Sequence, residues 1–403
     1  MLLNYVLRQI FYISITFFVT LPQNKLSWQA STYIYPSAKS VAFTVNFFST
    51  TRKEQKTAYI RALCHELTNR KDYLKGEPIE TIYLGGGTPS QLAKEDFEAI
   101  FSHIYKVYKV TPNAEITLEA NPDDLTSEYI SMLRTFPFNR ISMGIQTFQE
   151  TTLKQLQRRH TADQAIRAFQ GCRTAGFQNI SIDLMYGLPG ETLTSWKKDL
   201  KQALSLHPEH ISAYHLIYEE GTPLWKLREQ HKVEEADEDL SVSLFGTLID
   251  ELTTAGYEHY EISNFCLPGL HSRHNSSYWT EKQYLGCGPS AHSYNGISRQ
   301  WNVASLDKYI EGISSGNPTF EVEELDLYTR YNDFVITHIR TQWGMPLPKL
   351  GKQYGEELYK YCLRMATPHL QQGTLEIKND TLKLTRKGVF ISDGIMSDML
   401  WVE

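Results

Sequence analysis

The sequence predicts an α/β protein of repeated strand–helix units, completed by a smaller, mostly helical module that ends in a winged-helix pattern. Three observations predict it. From residue 80 onward, short β-rich runs alternate with amphipathic helical stretches. Polar residues that do not belong in a core stand at or near the ends of those runs. After about residue 300 the alternation gives way to helices followed by a hairpin. Repeated βα units imply parallel strands with right-handed crossovers, arranged as an open sheet or a barrel. Either form carries its ligand site at the C-terminal ends of the strands.

The strands expected in order are ETIYLGG (80–86), AEITLEA (114–120), RISMGIQ (140–146), NISIDLMYG (179–187), HISAYHLI (210–217) and YEHYEIS (257–263). Between them, TLKQLQRRHTADQAIRAFQGCRTAG and TSWKKDLKQALSL place apolar residues at helical spacing. Further on, YTRYNDFVITHIRTQWGM and GEELYKYCLRMATPHLQQG read as helices. TLEIKNDTLKLTRKG reads as a hairpin turning at Asn379-Asp380, with a last helix after it. A winged helix often binds nucleic acid, but its second helix here carries no basic cluster, so a packing or partner role is expected. The division expected is an aberrant segment over 1–45, a core over 46–300 and the helical, winged domain over 301–403.

Composition narrows the function. A chain of 403 residues has room for one large core and a smaller one. Its net charge of -6 argues against a general nucleic-acid binder, which would show a basic surface. Cys64, Cys172, Cys266, Cys287 and Cys362 are odd in number, widely spaced and without a Cys-x-x-Cys pair. That argues against a disulfide scaffold and for a reducing, cytoplasmic setting. Residues 1–21 are apolar and aromatic around a single Arg8, but the uninterrupted apolar part is too short to span a bilayer, and no cleavage site follows. The segment reads as foreign to the fold, and no membrane span is expected.

The chemistry-bearing residues begin with YLGGGTPS, where Gly85, Gly86, Gly87 and Thr88 close a strand. Glycines there let a ligand approach the backbone; a plain strand-to-helix turn capped by Ser90 is the simpler reading. Without a following GK[ST], a nucleoside triphosphate is disfavoured. Glu119 stands at the tip of the next strand ahead of Asn121-Pro122, Gln146 at the tip of the third, and Arg158 and His160 in LQRRH. Asp183 lies inside an apolar run, where a carboxylate is costly unless it is paired or used. One such residue is ordinarily a structural hydrogen-bonder; four converging on one rim point to a ligand site.

YLGGGTPS, LEANPDDLT, RISMGIQTFQETTLKQLQRRH, IDLMYGLPGET and ISAYHLIYEEGTPL together resemble the radical SAM proteins of the coproporphyrinogen III dehydrogenase-like group. The resemblance runs from about Asn46 to the C-terminus. It implies a partial (β/α)6 radical SAM barrel holding S-adenosylmethionine against a [4Fe–4S] cluster, with a C-terminal, mostly helical, winged-helix-like domain. By that resemblance Gly86, Gly87 and Thr88 line the methionine end of S-adenosylmethionine, and Glu119, Gln146, Arg158 and Asp183 complete the pocket. Arg158 can pair with the ligand carboxylate; Glu119 and Asp183 can accept from an ammonium or from ribose hydroxyls.

A further stretch, CLPGLHSRHNSSYW, contains His274-Asn275 and Tyr278-Trp279 and resembles the HNxxYW motif of the group's haem-chaperone branch. That makes His274 a candidate haem ligand, since histidine is a standard axial ligand. A loop packed by Tyr278 and Trp279, with His274 as a hydrogen-bonder, is the plainer reading. A zinc site of Cys266, His271, His274 and Cys287 is a rival whose spacing departs from the usual pairs. Three functions follow. The first is a haem chaperone that binds haem and S-adenosylmethionine and serves haem-accepting proteins. The second is the oxygen-independent enzyme that decarboxylates coproporphyrinogen III; its cluster motif carries a further cysteine where this chain has Phe47. The third is a cluster-free interaction protein. The three readings differ on whether the chain is an enzyme, and each is compatible with a homodimer.

The resemblance also exposes a gap. Aligned on NFFSTT, the family's Cys-x3-Cys-x2-Cys cluster motif falls on Ala38, Ala42 and Val45. Regrouping degenerate codons over this stretch by one base permits cysteine codons within Ser37-Ala38, Val41-Ala42 and Thr44-Val45 at once. The shifted frame permits MAGIYIHIPFCKKRCIYC, running into NFFSTT. The expectation is that residues 28–45 are a native segment read out of frame, behind a spurious leader of residues 1–27.

Overall fold

The computed structural model describes residues 41–47, 53–218, 220 and 222–402. Ala38 and the apolar N-terminal stretch lie outside them. The strands in chain order are β1 (Val41–Phe47), β2 (Ile79–Gly86), β3 (Val110–Ala120), β4 (Arg140–Gln146), β5 (Ile180–Tyr186), β6 (His210–His215), β7 (Glu258–Glu261), β8 (Asn264–Cys266), β9 (Tyr284–Cys287), β10 (His292–Tyr294), β11 (Ser298–Asn302), β12 (Phe320–Glu324), β13 (Met345–Pro346), β14 (Leu375–Lys378) and β15 (Thr381–Leu384). They fall in two units. One takes the described residues up to Ile116 together with those from Ser272 onward; the other is Thr117–His271.

In the Thr117–His271 unit the strand order is β3-β4-β5-β6-β8-β7, with β3 contributing its last residues. β3 to β6 run parallel. Every residue of β5 is buried, which is why it reads as a near-continuous apolar run rather than an alternation. The helix Ala162–Thr174 starts where Thr161 and Gln164 cap each other's backbone N–H groups, and it buries Ala165, Phe169 and Cys172. The helix Leu193–Ser205 starts the same way at Thr192 and buries Trp196, whose indole N–H donates to the Leu244 carbonyl at 3.0 Å.

Two sequence expectations need correction in this unit. TLKQLQRRHTADQAIRAFQGCRTAG is not one helical stretch but two helices, Glu150–Gln155 and Ala162–Thr174. Gln157 takes a left-handed backbone, φ 51, and the Thr161 cap starts the chain afresh, so Arg158 and His160 sit in the link. YEHYEIS does not add a further parallel strand. Only Ile262 and Ser263 separate β7 from β8, too few for a crossover, so the two pair antiparallel.

In the other unit the order is β12-β11-β10-β9-β1-β2. β1, absent from the strands expected, runs parallel between β2 and β9. The antiparallel β10, β11 and β12 follow beyond β9. Glu66, on the helix Lys53–Asn69, is 2% exposed and accepts from the Tyr309 hydroxyl at 2.6 Å, the Asn302 amide at 2.7 Å and the Gly288 backbone at 2.8 Å. A buried carboxylate this well satisfied cements the elements it touches. Toward the C-terminus come the helices Leu327–Ile339 and Leu347–Gln371, the latter broken at Gly355, and a three-stranded sheet in the order β13-β15-β14. Its turn is Asn379-Asp380 as expected, both residues left-handed at φ 51 and φ 56. No described helix is long and apolar enough to cross a membrane.

Candidate functional site

Glu119, Gln146, Arg158 and Asp183 assemble within the Thr117–His271 unit, and strand register does most of the work. Glu119 lies opposite Ser142, and Gly144 opposite Asp183. Past Gly144 the register slips by a bulge, and Gln146 takes φ 71. That backbone costs a non-glycine residue on the order of 1 kcal/mol or more. It leaves Gln146 4% exposed, with its Oε1 unpartnered among the described residues. Arg158 reaches back from its link to donate to the Gly144 carbonyl and to Asn121 Oδ1, both at 2.9 Å. A Cβ on Gly144 would stand 3.0 Å from Gln146 Nε2 and 3.5 Å from Arg158, so the missing side chain lets the guanidinium lie along the strand.

Asp183 lies in the middle of β5, inside the fully buried apolar run where the sequence places it. Burial pushes its carboxyl up to about 6, against the pull of Arg140, of the Ser212 and Ser142 hydroxyls and of Arg158. Burial first, and then the charges of Asp183, Glu261 and Glu119, hold the Tyr214 phenol well above its ordinary value. His160 meets the Ile145 carbonyl at 3.1 Å, and burial first, then Arg158, lowers it to about 4, leaving it neutral at pH 7. Asp199, which the sequence reading missed, pins the turn after β4 by accepting from Thr147 Oγ1 at 2.5 Å, Gln149 Nε2 at 2.8 Å and Phe148 N–H at 3.2 Å. The signal was there: Asp199 occupies an apolar-face position of its helix beside Trp196, Leu200 and Ala203.

The glycine-rich turn belongs to the other unit. β2 ends at Gly86 with φ 85, a backbone that suits glycine, and Pro89 opens a short 3-10 turn. Gly86 and Gly87 are exposed and Thr88 is half-buried.

His274, in the same unit as that turn, is 1% exposed on the short helix Arg273–Trp279. Glu115 accepts the backbone N–H groups of Arg273 and His274 at 3.0 and 2.8 Å, a carboxylate where the helix start favours one. The imidazole Nδ1 meets Thr81 Oγ1 at 2.9 Å; Nε2 meets the Tyr278 hydroxyl at 2.8 Å and Thr44 Oγ1 at 3.0 Å. Tyr83 stacks on the ring at 4.7 Å. Trp279 is buried with the Arg340 guanidinium 4.1 Å over its indole. Of the two readings of this motif, the geometry favours the hydrogen-bonded hub, since both ring nitrogens already face hydroxyls.

The residues do not fit an iron–sulfur cluster. Ala42 is a fully buried methyl inside β1, and Val45 is in the same strand opposite Leu84 and Cys287. The five cysteines are buried, unpaired and spread over separate elements. Burial raises all five thiols, to about 11 at Cys64 and about 12 at Cys172, Cys266 and Cys362, and well above the ordinary value at Cys287. Nor does the quartet weighed for zinc assemble as proposed. His274 is engaged as described and Cys287 lies in β9, whereas Cys266 and His271 converge with Glu258, their ligand atoms within 4.8 Å of one another.

The family model of the Radical SAM superfamily matches residues 55–203, and that of the HemN C-terminal domain matches residues 325–391. Over 344 residues the chain is 31% identical to "Heme chaperone HemW" of Bacillus subtilis, covering 85% of this chain and 91% of that protein. It is 34% identical over 335 residues to "Radical S-adenosyl methionine domain-containing protein 1, mitochondrial" of Mus musculus, covering 80% and 76%. Among solved structures, the coproporphyrinogen III oxidase HemN of Escherichia coli, described as a radical SAM enzyme, superposes with a TM-score of 0.78 at 20% identity over 90% of each chain. The expected α/β fold of the radical SAM type, with a C-terminal helical domain, is thereby borne out.

Proposed function

Because the chain belongs to the radical SAM superfamily and, within it, to the HemW family of haem chaperones, we propose that it binds haem and delivers it to haem-accepting proteins in the cytoplasm. The observation that carries this reading is the extent of the likeness. It spans 91% of the Bacillus subtilis relative, more than the catalytic-type core alone would give. The test is a haem titration of the purified chain followed by mixing with a haem-free acceptor protein. One bound haem per chain that then moves to the acceptor supports the proposal; no saturable Soret change refutes it. Incubation with coproporphyrinogen III separates the rival enzymatic reading, which demands loss of two carboxyl groups as carbon dioxide.

S-adenosylmethionine fits the residues present. In this proposal Arg158 holds its carboxylate, and Glu119 and Asp183 accept from its ammonium or ribose hydroxyls. The unpartnered Oε1 of Gln146 supports a ligand donor at that place. When bound, the molecule supplies a sulfonium centre beside these groups. No step is assigned to a [4Fe–4S] cluster, because Ala42 and Val45 offer iron no lone pair.

A further inference from the structure

We propose that Glu258, Cys266 and His271 form a binding site for a divalent cation of the zinc class at the β7–β8 edge of the Thr117–His271 unit. The topology builds the site. Glu258 and Cys266 are register partners across the antiparallel β7–β8 hairpin, so their side chains share one face. After Cys266 a tight turn, closed by Leu270 N–H to the Leu267 carbonyl at 2.9 Å with Gly269 at φ 78, brings His271 back to the same place. His271 Nε2 and Glu258 Oε2 are 2.8 Å apart, and the sulfur, imidazole nitrogen and carboxylate oxygen all lie within 4.8 Å of one another.

The donor set selects the metal. Thiolate, imidazole and carboxylate ligands are the zinc repertoire, whereas calcium and magnesium take oxygen alone. Metal bonds of about 2.0–2.3 Å in a tetrahedron put ligand atoms about 3.3–3.8 Å apart, so the widest separation must close by up to about 1 Å while the Glu258–His271 pair opens by about 0.5 Å. Thiolate and carboxylate together balance a dication. Cys266 is fully buried, while Glu258 and His271 are half-buried, which leaves an open side through which a cation and one water can enter. A plain Glu258–His271 ion pair is the competing account, and it needs no sulfur at all.

The test uses the full chain, stripped with chelator and titrated with Zn2+ by calorimetry and with Co2+ by absorption. The expected result is one equivalent bound, a thiolate-to-cobalt charge-transfer band in the near ultraviolet, and a Zn2+-dependent rise in unfolding temperature. Cys266→Ala should abolish the band and weaken Zn2+ by more than the roughly 10- to 100-fold that losing an outer partner costs. His271→Gln, changed at the half-exposed side of the trio, should weaken it likewise and decides the matter if Cys266→Ala fails to fold. Cys172→Ala should leave binding unchanged. Absence of the charge-transfer band, or full-strength binding in Cys266→Ala or His271→Gln, overturns the proposal.

Discussion

At the scale of residues, Arg158 makes the sharpest prediction. Its forked guanidinium bridges Gly144 and Asn121 and, in the proposed pocket, a ligand carboxylate. Lysine keeps the charge but not the fork. Arg158→Lys should therefore lower S-adenosylmethionine affinity at least about tenfold by calorimetry, with the fold intact. Asp183 predicts a pH dependence. Its folded value of about 6 lies above the ordinary 3.8, so its contribution is intact below about 3.8 and lost as pH rises through 6. Asp183→Asn should gain up to about 3 kcal/mol over the parent above pH 6, with the gap closing near pH 4, as read from urea midpoints. For His274, replacement by alanine should cost roughly 2–4 kcal/mol of stability through three lost hydrogen bonds to buried or half-buried partners. The Soret maximum of the haem complex should stay put; a shifted maximum would make His274 the axial ligand instead. These residues were legible in sequence because polar side chains near apolar strands are rare. Their partners were not: nothing in Asn121, Thr44 or Glu115 distinguishes it until register sets it against Arg158 or His274.

At the scale of elements, the wing turn offers a clean test. Asn379 and Asp380 are both left-handed, and only the second sits where glycine is the favoured residue. Asp380→Gly should stabilise the chain by roughly 0.5–1 kcal/mol, seen as a higher denaturation midpoint with unchanged slope. The same turn shows what local chemistry reveals without tertiary help: Asn-Asp between alternating runs specifies its own hairpin. The helix broken at Gln157 shows the opposite. Its apolar spacing continues through both halves, and the break comes from a cap at Thr161 and from Arg158 turning back to the strand. β1 was missed for another reason. VAFTVNF alternates Val41, Phe43, Val45 and Phe47 with Ala42, Thr44 and Asn46, but most of it falls in the stretch expected to be out of frame.

At the scale of the whole molecule, the chain should fail to build a stoichiometric [4Fe–4S] centre on anaerobic treatment with iron and sulfide, as followed by iron content and visible absorption. The coding DNA across codons 27 to 46 tests why: three cysteine codons in the shifted frame mark a slip, and the loss of any one of them marks true divergence. The placement of β1 between β2 and β9 has a different consequence, one of timing. Val45 pairs with Leu84 on one side and with Cys287 on the other, and the Thr117–His271 unit is threaded between these partners in the chain. Synthesis runs from the N-terminus at about 5–20 residues per second, and domains fold as their residues emerge. The continuous Thr117–His271 unit can therefore close while the ribosome is still working, whereas the other must hold its early strands open until β9 is made. For that interval, on the order of ten seconds or more, β1 and β2 expose unpaired edges, and that is when the nascent chain most needs a chaperone of its own.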